Sequence, residues 1–141
     1  MQAQTQNEGL SLETLEAVIQ RTPFAVLMGA KILKYSMGEV ELMMPISEKI
    51  TQHHGFVHGA VIGFLADSAC AWAAASVVKD VVTSEYKINL LAPAVGTVLL
   101  GRGYVLKVSG QQVVCRADVF AAKDGNEKIV ATALATIVKF K

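Results

Sequence analysis

The stretch His58-Gly-Ala-Val-Ile-Gly-Phe-Leu-Ala-Asp67-Ser-Ala-Cys-Ala-Trp-Ala-Ala-Ala-Ser-Val-Val78 decides the architecture. It reads as one helix over about 58–78, apolar nearly all round, and such a helix belongs inside a core. From Gly55 to Val78 the only formal charge is Asp67. Length and hydropathy alone would also suit a membrane span. The abundance of alanine over leucine, the central carboxylate and the lack of flanking basic anchors favour a buried helix instead. Seven alanines (Ala60, Ala66, Ala69, Ala71, Ala73, Ala74 and Ala75) allow another layer to approach closely.

Downstream, the chain reads as strand after strand. Residues 81–91 alternate Thr83, Glu85, Lys87 and Asn89 against Val82, Ser84, Tyr86, Ile88 and Leu90, which places the two sets on opposite faces. A turn at Ala92-Pro-Ala-Val-Gly96 leads to strands over 97–108 and 112–122, joined by a hairpin at Ser109-Gly110. Asp124-Gly125 marks a second hairpin before a strand over 128–140. That last strand carries a stripe of Ile129, Ala131, Ala133, Ala135 and Ile137, suited to close helix contact. Upstream, Ser11 is the expected N-cap of a short helix with an apolar stripe of Leu12, Leu15, Val18 and Ile19, which Pro23 ends. Residues 28–35 and 39–46 read as two strands, and 47–57 as a loop. Residues 1–10 are expected to form a disordered tail, and 11–141 a single domain. The order predicts an α+β fold: an antiparallel sheet of five to six strands, made concave to wrap the helix.

With 141 residues, the chain can bury about two thirds of its unfolded surface. Hydrophobic residues make up 52% and charged residues 18%, which excludes a disordered chain. Thirteen basic against twelve acidic residues argue against a nucleic-acid domain. Cys70 and Cys115 lie in apolar runs without metal-type spacing, as expected of reduced core thiols in a cytoplasmic protein. The N-terminus has neither the basic nor the apolar region of a secretory signal.

Chemistry concentrates around the long helix. Asp67 is a poor mid-helix residue in the most apolar part of the chain, and its burial should raise its pKa, as suits a general base. Gly59, at the expected helix start, offers an unpaired N–H and close backbone approach for a carbonyl oxygen. Eight residues separate the two, about 12 Å along a helix axis. One chain can hardly bring both onto one carbonyl, which hints at a site shared by two chains. His53, His54 and His58 lack a zinc-site pattern, and no metal site is expected. No nucleophile elbow or phosphate-binding loop occurs, and Gly101-Arg-Gly103 is a partial match by chance.

His58-Gly59-Ala60 followed by Leu65-Ala66-Asp67 resembles the motif of hotdog-fold acyl-CoA thioesterases of the PaaI-like group, with Ala60 where His-Gly-Gly is usual. The resemblance covers the chain from about Ser11 to Phe140. It implies a single hotdog domain that hydrolyses a thioester to a carboxylic acid and free coenzyme A. Asp67 would act as nucleophile or general base, and the Gly59 N–H would polarise the carbonyl. Gln52, six residues before His58, would assist the carbonyl or the water; Thr83 would orient water and carboxylate; His58 would shape the turn. The resemblance further implies substrate contacts at His54, Gly55 and Ala60, and coenzyme A contacts at Lys107, Ser109 and Gly110, with Arg102 a weaker candidate. No cofactor is implied beyond the coenzyme A of the substrate. The implied assembly is a homo-oligomer: a dimer with Gln52, His58 and Gly59 from one chain and Asp67 and Thr83 from the other, extended to a tetramer. No nucleic acid or membrane partner is expected. Two alternatives stay open: a non-catalytic acyl-CoA binding or sensor protein, and a hotdog dehydratase or hydratase, whose catalytic string is absent.

Overall fold

The structure, a computed structural model, describes residues 9–140. Its elements follow the order α1 (Leu12–Gln20), α2 (Pro23–Met28), β1 (Lys31–Ser36), β2 (Glu39–Pro45), α3 (Gly59–Val78), β3 (Val81–Leu90), β4 (Val98–Ser109), β5 (Gln112–Lys123) and β6 (Asn126–Lys139). A single 3₁₀ turn, Glu48–Ile50, precedes α3. The six strands form one antiparallel sheet in the order β1-β2-β4-β5-β6-β3. The sheet curls around α3, which packs against β2, β3, β4, β5 and β6. This is the expected α+β arrangement, with the full six strands.

Close seating of α3 depends on the smallest side chains. A Cβ at Gly103 would stand 2.1 Å from the Ala69 carbonyl oxygen, and one at Gly101 would stand 2.8 Å from Leu65 Cγ. The two glycines thus open a seat for the helix on β4, and their spacing is no accident of composition. The inner face of β6 supplies Ala131, Ala133, Ala135 and Ile137, all buried. A register shift between Val119 and Phe120 turns Val130 inward and Ile129 outward, so Ile129 leaves the stripe expected of it. α3 is long and apolar enough to cross a membrane, yet 67% of its most apolar window is buried within the fold.

The N-terminal region departs from its sequence reading. Ser11 caps α1 and accepts from the Thr14 N–H at 3.1 Å, as expected. Pro23 does not simply end that helix. α1 stops at Gln20, and Pro23 opens α2, where its missing N–H costs nothing and its fixed φ suits a first turn. Met28 therefore belongs to a helix, and β1 begins only at Lys31. Of the expected tail, residues 1–8 lie outside the described residues. Leu10 is tied down: its N–H donates to Ala75 O at 2.9 Å, and its carbonyl accepts a short hydrogen bond from the Tyr35 hydroxyl. Ser76, 1% exposed, donates to Ala73 O and accepts from the Gly38 N–H at 2.7 Å, which fastens the β1–β2 turn to α3.

Candidate active site

The loop before α3 aims a backbone donor. Thr51 and Val57 pair in an isolated antiparallel bridge, closed by Gln52 N–H to Phe56 O at 2.8 Å and Gly55 N–H to Gln52 O at 2.9 Å. Gly55 takes a φ of 86°, a left-handed conformation open to glycine at little cost. His58 N–H then donates to Ile50 O at 2.8 Å, and His58 becomes the N-cap. Its Nδ1 accepts from the Ala60 N–H at 3.0 Å, and its carbonyl accepts from the Val61 N–H at 2.9 Å. The Gly59 N–H has no protein acceptor among the described residues. Gly59 lines a cleft of about 360 Å³ together with Gln52, Phe56, Ile62, Leu90 and Pro93. An unpaired N–H at the positive end of a 20-residue helix is a preformed place for a negative oxygen.

Gln52 is oriented for the same cleft. Its Oε1 accepts a short hydrogen bond from the His54 N–H, which leaves the amide nitrogen free to donate. His54 itself is exposed, its ring stacked 6.0 Å from that of Phe56. Ala60 is exposed at the helix mouth, with its N–H committed to His58.

Asp67 lies in the middle of α3, partly buried, on the face turned toward β3. Thr83 Oγ1 donates to Asp67 Oδ1 at 2.6 Å. Burial raises the Asp67 pKa above the ordinary carboxylate value, and the Thr83 hydroxyl opposes that by favouring the ionised form. With Oδ1 held, Oδ2 is left to accept a proton.

The sequence reading put Thr83 on one face with Glu85, Lys87 and Asn89. The structure corrects this. A β-bulge at Ser84 shifts the register, so Thr83 pairs with buried Ile137 and faces α3, while Glu85 pairs with Thr136 on the outer face. Thr136 Oγ1 donates there to Glu85 Oε1 at 2.6 Å. Beyond the bulge the inner set is Tyr86, Ile88 and Leu90. β3 then follows one face of α3 at helical spacing: Leu90 Cδ1 lies 3.0 Å from where a Gly59 Cβ would stand, Tyr86 Oη lies 3.1 Å from that of Gly63, and Thr83 bonds Asp67. Tyr86 escaped notice as part of this groove. The signal available was the pair of glycines four residues apart on one helix face.

The structure gathers Gln52, His58 and Gly59 at the helix mouth and Asp67 with Thr83 farther along, about 12 Å apart by helix rise. It does not bring Lys107, Ser109 or Gly110 to either place within one protomer. Ser109 pairs with Gln112, which pairs with Val138, which pairs with Val82, so the β4–β5 hairpin lies three strands from β3, about 14 Å. Arg102 is occupied: Nε contacts Glu41 at 2.5 Å, Nη2 contacts Glu127 at 2.9 Å, and the guanidinium lies 4.5 Å over the Phe120 ring. Its charge is committed to the sheet, which corrects its candidacy for phosphate binding. Cys70 and Cys115 are buried free thiols; burial pushes Cys115 up to about 12, and Cys70 higher still, so neither is a nucleophile. No group of three His, Cys, Asp or Glu side chains suited to a metal ion occurs among the described residues.

A curled antiparallel sheet around one long helix, with a free N–H at the helix mouth and a carboxylate on its flank, defines a hotdog-fold hydrolase. The chain belongs to the Thioesterase superfamily, whose family model matches residues 54–128, from the loop through α3 to the start of β6. It is similar to a Saccharolobus solfataricus protein provisionally named an esterase, 30% identical over 94% of this chain and 87% of that one. Among solved structures, a thioesterase family protein of Silicibacter pomeroyi is 36% identical with a TM-score of 0.86, covering 89% of this chain and 95% of that one. The PaaI protein of the Escherichia coli phenylacetic acid degradation operon shares the fold at 21% identity, with a TM-score of 0.83 and 92% of each chain covered.

Proposed function

We propose that the protein is an acyl-CoA thioesterase that works as a homo-oligomer with its sites between two chains. The observation that carries this reading is the Asp67–Thr83 pair, a helix-interior carboxylate held at 2.6 Å with one oxygen free. The helix mouth with its unpaired Gly59 N–H complements it. The two halves of the chemistry are too far apart in one chain, and β3 is an edge strand with Val82, Tyr86 and Leu90 exposed. An open edge with apolar side chains is a template for pairing with another copy. Two β3 strands paired antiparallel about a two-fold axis set two α3 helices side by side and bring Gly59 of each toward the partner's Asp67. Pairs of such dimers would give the tetramer.

In this arrangement the thioester oxygen accepts from the Gly59 N–H and the Gln52 amide nitrogen. Water held by Thr83 and Asp67 attacks the carbonyl carbon from the opposite side. Asp67 Oδ2 takes the water proton, and the tetrahedral oxyanion is held by the two donors. Collapse breaks the carbon–sulfur bond, and the proton on Asp67 passes to the departing thiolate. The products are a carboxylic acid and free coenzyme A. His58 holds the helix mouth through Nδ1 and touches the substrate only at its edge, beside His54, Gly55 and Ala60. Lys107, exposed and outside any ion pair among the described residues, would hold coenzyme A phosphate with Ser109 and Gly110. The two unpaired thiols support a reducing, cytoplasmic setting.

The experiment is thiol release across a panel of acyl-CoAs, with wild type and Asp67→Asn side by side, and coenzyme A binding measured on both. Turnover that collapses in the variant while binding persists is the expected result. Binding without turnover in wild type would make the protein a sensor, and turnover that survives in Asp67→Asn would remove the carboxylate from the reaction.

A further inference from the structure

We infer that Tyr86 ends the acyl site and restricts the enzyme to short acyl groups. The inference rests on the proposed intersubunit thioesterase. If Gly59 of one chain faces Asp67 of the other across a two-fold axis, the axis must pass the residue midway between them. That residue is Gly63, and the side chain packed on it is Tyr86, with Oη 3.1 Å from the position a Cβ would take. A Cβ at residue 63 would press the Tyr86 hydroxyl back by a few tenths of an ångström, so the buried glycine lets the tip of the ring lie close against the helix. The two copies of Tyr86 therefore meet at the axis, between the two reaction centres.

The direction of the acyl group follows from bulk and polarity. Coenzyme A is large and charged and must leave by the open cleft mouth at Gln52 and Pro93. The acyl group is left with the line along α3 from Gly59 toward Gly63, on which Leu90 and then Tyr86 pack. Four helix residues separate Gly59 from Gly63, a run of about 6 Å. The Tyr86 ring stands across the end of that run, and beyond it lies the partner's ring. Tyr86 is 41% exposed in the single chain, so its own chain covers only part of the ring and leaves the rest open at the β3 edge. A large, rigid, amphipathic ring at that place is a wall for one acyl group and a backing for its neighbour.

The test uses full-length wild type, Tyr86→Ala and Tyr86→Leu, each checked for oligomeric mass. Thiol release gives kcat/KM for butyryl-CoA and decanoyl-CoA, and non-hydrolysable thioether analogues of the same two chains give Kd. Wild type should favour the butyryl substrate. Tyr86→Ala should raise the decanoyl-to-butyryl ratio by at least about tenfold in both measurements, with Tyr86→Leu between. If Tyr86→Ala loses its assembly, Tyr86→Leu decides alone. An unchanged ratio in an intact variant, or a wild type that prefers decanoyl, overturns the inference while leaving the thioesterase standing. A wild type that cleaves neither chain defeats the thioesterase reading instead, and the Kd ratios then still test the wall.

Discussion

Thr83→Val removes one hydroxyl from the site and little else. Valine keeps the branched shape and suits a strand. What is lost is the 2.6 Å hydrogen bond to Asp67 Oδ1. That bond favours the ionised carboxylate, and burial opposes it. A hydrogen bond to a charged group contributes about 1.5–3 kcal/mol. At about 1.4 kcal/mol per factor of ten, full loss would raise the Asp67 pKa further and lower the ionised fraction on the acidic side by about ten- to a hundredfold. Asp67 keeps partial access to water, which compensates some of the loss, so a drop of about tenfold is expected. A base works only when ionised, so activity rises with pH through this pKa, and the acidic limb of kcat/KM should move to higher pH, with kcat/KM on that limb lower by about that factor. Thr83→Ser, which keeps the hydroxyl, should return the limb toward its wild-type position. The assay is thiol release against pH for the three proteins. An acidic limb that stays in place in Thr83→Val would refute the claim that this hydroxyl holds the working carboxylate.

Other perturbations follow from the same geometry. Asp67→Asn should abolish turnover yet stabilise the fold at neutral pH: a carboxyl whose folded pKa is raised adds stability in acid and withdraws it as pH rises through that pKa. Melting temperatures of wild type and variant should therefore separate progressively on going from acid to neutral pH. Gly103→Ala drives a methyl group to 2.1 Å from the Ala69 carbonyl and should cost about 3 kcal/mol in urea unfolding, unless α3 can lift off β4. Arg102→Ala leaves Glu41, 9% exposed, without its cation and should cost about 2 kcal/mol, with the affinity for coenzyme A unchanged. Loss of coenzyme A affinity in a folded Arg102→Ala protein would return Arg102 to the substrate.

The parts of the fold legible in advance were those with strong local signals. The uninterrupted apolar run exposed α3, Ser11 and His58 marked helix starts, and a lone carboxylate in that run marked Asp67. Paired glycine turns gave the hairpins. What escaped was set by tertiary contact. The bulge at Ser84 has no signature in Val82-Thr-Ser-Glu-Tyr86, because an extra residue shows only against the partner strand β6. The shift at Val130 is hidden for the same reason. Gly101 and Gly103 carry meaning only once Ala69 and Leu65 are seen lying on them. Pro23 reads as a stop but opens α2, because proline at a helix boundary fits either role until the next turn is known. The proposed intersubunit arrangement rests on the eight-residue separation of Gly59 and Asp67, which needs no more than the rise of a helix.

The extra residue at Ser84 works as a change of reading frame along one strand. Before it, odd-numbered positions look inward; after it, even-numbered ones do. Deleting Ser84 with the downstream half held in place would leave Thr83 opposite Ile137 and still inward, but a straight strand that kept Ser84 would put Ser84 there and turn the Thr83 hydroxyl to the outer face, with Tyr86, Ile88 and Leu90 in their positions. A strand built this way lets one unpaired residue decide which hydroxyl meets the helix carboxylate, separately from the frame that carries Tyr86, Ile88 and Leu90.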